Sequence, residues 1–141
     1  MSRLEMKECG EGDQEFIVSK LVEYNLSQVP PMQEFHFQDV SRKIVDEDGK
    51  IVAGVVGKLN AWNCLHIDFL WVDREYRKKG LGSEILSEVE AVSKEYGCYL
   101  VYLDTFDFQA KDFYLKHGYR VFGTLNNCPP NHKKYFLEKS L

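Results

Sequence analysis

The sequence predicts an α/β domain, with one mixed sheet of about seven strands and three or four helices over its faces. Three observations carry that expectation. Apolar runs of strand length alternate with amphipathic stretches of helix length along the whole chain. Asp48-Gly49 lies between two such runs, the strongest hairpin signal present. Leu65, Ile67, Phe69 and Trp71 alternate like a half-buried strand. They are followed across Arg77-Lys78-Lys79-Gly80-Leu81-Gly82 by Leu81, Ile85, Leu86, Val89, Val92 and Tyr96, one stripe of an amphipathic helix.

In chain order, Arg3 to Glu8 alternates and reads as an edge strand, with Leu4 and Met6 on one side. Asp13 is the expected N-cap of a helix carrying Ile17, Leu21 and Tyr24, which Pro30-Pro31 prevents from continuing. Met32 to Asp39 shows no clear period and reads as a loop or short helix. Ser41 to Asp46 and Lys50 to Leu59 form the hairpin. Gly97 stops the helix after the basic turn. Cys98 to Leu103 is a strand, Asp107 to His117 a helix, and Tyr119 to Phe122 and Tyr135 to Leu137 are strands. With no repeat or linker, the 141 residues read as a single domain, 1–141, of a size that buries one core.

A net charge of −4 argues against a general nucleic-acid binder. No apolar run reaches membrane-spanning length and Met1 to Glu5 lacks an apolar signal region, so a cytoplasmic location is expected, with no membrane partner. Cys9, Cys64, Cys98 and Cys128 are widely spaced without a Cys-x-x-Cys pair, which points to reduced thiols and no metal site.

The basic glycine turn is the chemically informative stretch. Gly80 and Gly82 permit unusual backbone angles and remove Cβ atoms that would block a ligand. The free N–H groups of the following helix point into the turn, where Arg77, Lys78 and Lys79 add positive charge. This favours an anion such as a pyrophosphate; the alternative is a solvated basic loop. A Walker loop is excluded because Ser83-Glu84 follows Gly82, and a Rossmann fingerprint because Ile85 occupies the third glycine position.

Arg77-x-x-Gly80-x-Gly82 resembles the acetyl-coenzyme A motif of the GNAT superfamily of N-acetyltransferases. A second segment, Ala110-Lys111-Asp112-Phe113-Tyr114-Leu115-Lys116-His117-Gly118-Tyr119, is similar to that family's Ala-x-x-x-Tyr-x-x-x-Gly-Phe/Tyr motif. The resemblance extends over nearly the whole chain. More narrowly, His66 to Asp73, Leu103 to Phe106, Phe108 to Ala110 and Phe113-Tyr114 look like a bacterial subgroup of unknown substrate. The resemblance implies a mostly antiparallel sheet with a splayed central strand pair. It also implies acetyl-CoA as cosubstrate, without a metal, and direct transfer of the acetyl group to a primary amine of a small molecule or peptide in a ternary complex. The pyrophosphate is then expected at Arg77, Lys78, Lys79, Gly80, Leu81, Gly82 and Ser83. The pantetheine is expected along the main chain from Leu70 through Trp71 to Val72, as an added strand would lie.

Tyr114 is the candidate general acid, since a phenol keeps its proton at neutral pH. His66 and Asp68, at i and i+2 on one face and opposite Phe69 and Trp71, are the candidate bases. Packing of an aromatic ring, for Tyr114, and satisfied polar residues within the sheet, for the other two, are the competing readings. Glu34, His36 and His132 lie in loops that could line an acceptor pocket. Relatives often carry Asn where this chain has Asp107, which is expected to cap its helix. The last strand with Tyr135-Phe136 is a candidate homodimer contact. The rival functions are an acyl-CoA sensor without turnover, and an acyltransferase using another acyl donor or a hydroxyl acceptor.

Overall fold

The computed structural model describes residues 3–35 and 37–141, in two compact units, one ending at Pro31 and one starting at Met32. The first unit contains α1, Asp13–Gln28. Gly12, not Asp13, is its N-cap, at a φ of 81° that glycine reaches without strain. Asp13 instead turns its carboxylate back to accept the Gly10 N–H at 2.6 Å. The edge strand expected at Arg3 to Glu8 does not form. Leu4 and Met6 are fully exposed there, and alternation alone does not make a strand unless it is paired.

The second unit is built on β1 (Phe37–Asp39), β2 (Arg42–Val45), β3 (Ile51–Asn60), β4 (Cys64–Val72), β5 (Leu100–Phe106), β6 (Arg120–Asn126) and β7 (Lys133–Ser140). The sheet order is β1-β3-β4-β5-β7-β6, with β2 also on β3. Thus β1 and β2 share the outer edge of β3 in succession, and the seventh strand comes from Phe37–Asp39 rather than from the N-terminus. The β2–β3 turn is as the Asp-Gly pair predicts. Gly49 has φ 82°, and Asp46 Oδ1 accepts the Asp48 and Lys50 N–H groups, both at 2.9 Å.

Among the described residues every strand pairing is antiparallel except β4–β5. A parallel pair needs a crossover, and α2 (Leu81–Glu95) is that crossover. It lays Ile85, Leu86 and Val89 against Leu65, Ile67, Val101, Leu103 and Leu137. Fully burying each such side chain is worth about 1.5–3 kcal/mol.

The alternation in β4 changes phase part-way. Val56 pairs with Phe69 but Gly57 pairs with Ile67, so Asp68 is an extra, bulged residue. Leu65 and Ile67 are buried before it, and Leu70 packs on the core after it. Phe69 and Trp71 are exposed by 71% and 47%, on the same side as His66 and Asp68 and not opposite them.

The second motif's helix, α3, is shorter than its pattern suggests, Lys111–Lys116. Polar side chains hold the preceding backbone instead: Gln109 Oε1 accepts the Phe106 N–H at 2.7 Å and Thr105 Oγ1 accepts the Ala110 N–H at 3.4 Å. The last strand, β7, is paired on both sides, by β5 and β6, so the free edge at that end belongs to β6.

Glu90 ties α2 to β7 and to the residue just before β6. Its carboxylate accepts the Tyr119 hydroxyl and the Lys139 ammonium, each at 2.7 Å. Burial first, and then the hydrogen bond to Glu90, push the Tyr119 phenol well above its ordinary pKa. Glu90→Ala leaves two mostly buried donors without their acceptor. It is expected to cost about 2–3 kcal/mol of unfolding free energy in a urea titration; a midpoint equal to wild type would show that the cluster carries no stability.

Candidate functional site

The basic turn and the start of α2 form a shallow bowl. Gly80 is the N-cap at φ 81°, ψ 6°, and its carbonyl accepts from Glu84 N at 3.0 Å. That places the N–H groups of Leu81, Gly82 and Ser83 in the first turn, ahead of the helix's own acceptors. A concavity of about 230 Å³ opens there, lined by Val72, Tyr76, Arg77, Lys78, Gly80, Leu81, Gly82, Ser83 and Phe113. Lys78 sits at φ 64°, a left-handed conformation costly for a side chain of its kind. Arg77 Nε donates to the Val72 carbonyl at 3.1 Å, so this guanidinium also fixes the end of β4. Lys79 Nζ lies 5.2 Å from the centre of the Tyr76 ring and is the one cation of the three outside the lining. The Ser83 hydroxyl is engaged with His117 Nε2 at 2.8 Å.

Gly82 is where the bowl meets α3. A Cβ at that position would lie 3.3 Å from Phe113 Cε1 and 3.7 Å from Val72 Cγ2. The bowl continues into a slot of about 440 Å³ between the end of β4 and the β5–α3 turn with α3. Leu70, Trp71, Val72, Arg77 and Gly82 line one side, and Phe108, Gln109, Ala110, Phe113 and Tyr114 the other. The slot exists because β4–β5 pairing stops at Ile67–Leu103 while β4 runs on to Val72 and β5 to Phe106. Among the described residues no strand lies against the β5-facing edge of β4 from Asp68 onward.

Tyr114 belongs both to the core cluster and to the slot wall. It is 5% exposed, more buried than Phe113. Burial, and behind it the charge of Asp104, push its phenol up to about 12. His66 and Asp68 are joined, Nδ1 to Oδ1, at 2.5 Å, and each is about one-third exposed. The His66 ring packs on Tyr102 at 4.7 Å. Tyr102 alternates with the core residues Val101 and Leu103, so the His66–Asp68 pair lies on the sheet face opposite Tyr114. Neither member lines the slot; the pair stands at its closed end, where the strands begin to part.

A family model for the acetyltransferase (GNAT) family matches residues 13–119, more than half of the chain. The chain belongs to that family. Blasticidin-S acetyltransferase of Streptomyces morookaense is 35% identical over 117 residues, covering 82% of this chain and 85% of the relative. An acetyltransferase from Bacillus cereus ATCC 14579, known from a crystal structure, is 40% identical with a TM-score of 0.89 and covers 98% of each chain. An acetyltransferase of Bacillus anthracis solved with acetyl coenzyme A shares 20% identity and a TM-score of 0.64, over 73% of this chain and 62% of that one; at that identity the likeness is one of fold.

Within this GNAT fold the two sequence motifs meet across the slot, at Gly82 and Phe113. Asp107 neither caps α3, whose N-cap is Ala110, nor faces the slot. Its carboxylate accepts the Lys133 N–H at 2.8 Å and bonds His132 Nδ1 at 2.9 Å, tying the β5–α3 turn to the start of β7. Desolvation raises its pKa, but the Lys133 N–H and the His132 side chain outweigh that and hold it below the usual value. His132 is thereby committed to Asp107, and its ring also stands edge-on to Phe108 at 5.3 Å. Glu34 lies outside the slot lining, and His36 lies outside the described residues. Tyr76, Phe108, Gln109 and Phe113 were not expected as wall residues. Phe113 lies within the second motif and Phe108-Gln109 just before it, but the contacts that make these wall residues run between distant segments.

Among the described residues no group of three potential metal ligands occurs, and no helix is long and apolar enough to cross a membrane. The Tyr114 environment has a direct optical consequence. In a spectrophotometric titration, the phenol removed by Tyr114→Phe should be one that ionises near pH 12; loss of a phenol titrating near 10 with exposed tyrosines would contradict its burial.

Proposed function

We propose that this protein transfers an acetyl group from acetyl-CoA to a primary amine of a small molecule or peptide, by direct transfer in a ternary complex, as one domain acting in the cytoplasm. The observation that carries the reading is the continuity of the bowl at the start of α2 with the slot beside the end of β4. The bowl offers main-chain N–H donors and two lining cations where a pyrophosphate fits, and the glycine at 82 leaves room that a Cβ would fill. The slot offers a strand edge without a partner, which suits the amides of a pantetheine arm. The Bacillus anthracis relative's acetyl coenzyme A supports the same cosubstrate.

Bound acetyl-CoA supplies an activated acyl group on a thiol leaving group. The chain's residues supply the rest. Leu70, Trp71 and Val72 flank the arm through the main chain. Gly80, Leu81, Gly82 and Ser83, with Arg77 and Lys78, hold the pyrophosphate, and Lys79 adds to the local positive potential. Asp68 holds His66 through Nδ1, which leaves Nε2 to take a proton from the acceptor ammonium. Asp68 is thus the orienting partner and His66 the base. Tyr114 keeps its proton at neutral pH and donates it, or a hydrogen bond, to the departing sulfur from the opposite side of the sheet. This division needs no metal. The Streptomyces morookaense relative makes blasticidin S the first acceptor to assay.

Gly80→Asp and Gly82→Glu place a side chain and a negative charge in the bowl. In calorimetry each should nearly abolish acetyl-CoA binding while circular dichroism stays native; unchanged affinity would remove the turn from the cofactor site.

Once an acceptor turns over, Tyr114→Phe should lower kcat by roughly 100-fold or more, with cofactor affinity preserved. His66→Gln should move or erase the acidic limb of kcat/KM against pH. A near-normal kcat in the first variant, where chemistry limits turnover, would leave Tyr114 as packing alone. An unmoved limb in the second would take the base role from His66.

A further inference from the structure

Ser83 and His117 are 34 residues apart, on α2 and just past α3, and their side chains meet at 2.8 Å between Oγ and Nε2. Ser83 lines the anion bowl; His117 does not. The His117 ring lies 4.7 Å from that of Phe113, the ring that crowds Gly82. The imidazole is therefore held from two sides, with Nε2 against the hydroxyl of a residue that lines the bowl.

A serine hydroxyl has one hydrogen to place. If His117 Nε2 is bare, Ser83 spends that hydrogen on the imidazole and turns only lone pairs toward an anion. If Nε2 carries a hydrogen, His117 donates to Ser83 and the serine hydrogen is free for the bowl. The main-chain N–H groups of Leu81 and Gly82 are fixed donors; Ser83 is the donor whose direction a distant residue sets. We propose that His117 is a positioning residue for pyrophosphate binding, donating through Nε2–H to Ser83 so that the Ser83 hydroxyl donates to the cofactor. This rests on the acetyl-CoA reading above, which leaves His117 without a role.

The test uses the full chain and two donors. Acetyl-CoA carries the pyrophosphate, and S-acetylpantetheine has the same thioester arm without it. Acetyl-CoA affinity is measured by calorimetry and S-acetylpantetheine affinity by ligand-observed NMR. Ser83→Ala and His117→Phe, the latter keeping a flat ring against Phe113, should each weaken acetyl-CoA by about 10-fold, the size of one hydrogen bond to a charged group. The double variant should be no weaker than either single one. His117→Gln, which retains an N–H donor, should recover to within about threefold of wild type. S-acetylpantetheine should bind all variants alike.

In the unmutated protein, nitrogen-15 NMR of His117 should show hydrogen on Nε2 in the acetyl-CoA complex, and this measurement stands even if a variant fails to fold. A bare Nε2 in the complex, additive losses, an undiminished His117→Phe, or equal weakening of both donors would each overturn the proposal. If the unmutated protein itself shows no preference for acetyl-CoA over S-acetylpantetheine, the bowl is not a pyrophosphate site. That failure is separate, because it appears without any mutation.

Discussion

The β4–β5 pair is the constraint on which the site depends. Parallel strands cannot be joined by a tight turn, so the chain must leave β4, cross over the sheet as α2 and return as β5. The crossover sets the α2 N-terminus beside the C-terminal end of β4. The pairing then lasts only from Cys64–Leu100 to Ile67–Leu103. Past that point the Asp68 bulge re-aims β4 while β5 stays with β7, and a slot opens in the middle of the sheet. One topological requirement thus places a helix dipole and an unpaired strand edge next to each other, the two things a long anionic thioester needs.

What keeps the slot from closing is packing. Phe113 fills the space over Gly82, Gln109 is locked onto the end of β5, and Asp107 anchors the same turn to β7. Glu90 joins α2 to Tyr119 and Lys139 from the other side. Because these contacts belong to the core and its margins, the walls are positioned by the same interactions that stabilise the fold. A site supported in this way is pre-organised, and little ordering is left for the moment of binding.

The proposed acid and base are separated by the sheet. Tyr114 is held in a low-dielectric wall on the α2 side, which favours its neutral, proton-bearing form. His66 and Asp68 sit together on the opposite face, partly open to solvent and to an incoming amine. In the proposed reaction the acyl donor occupies the slot between them and the acceptor comes from the His66 side.

The sequence by itself determined the strand–turn–helix at residues 65–96, the hairpin at Asp48-Gly49, the two motifs and Tyr114. These are local patterns of period and turn chemistry, set by residues close along the chain. Tertiary structure decided the rest. Arg3 to Glu8 has strand alternation but pairs with no strand among the described residues, and Phe37–Asp39, without a clear period, became a strand because β3 offered an edge. The Asp68 bulge reversed which of Phe69 and Leu70 reaches the core, a one-residue slip that depends on the partner strand. Asp107 looked like a cap and became a tie to Lys133, and Ser83 acquired His117. The partners that decide these features lie 10 to 34 positions away along the chain. A side chain's neighbours at that separation are set by how the layers pack, and no local pattern encodes them.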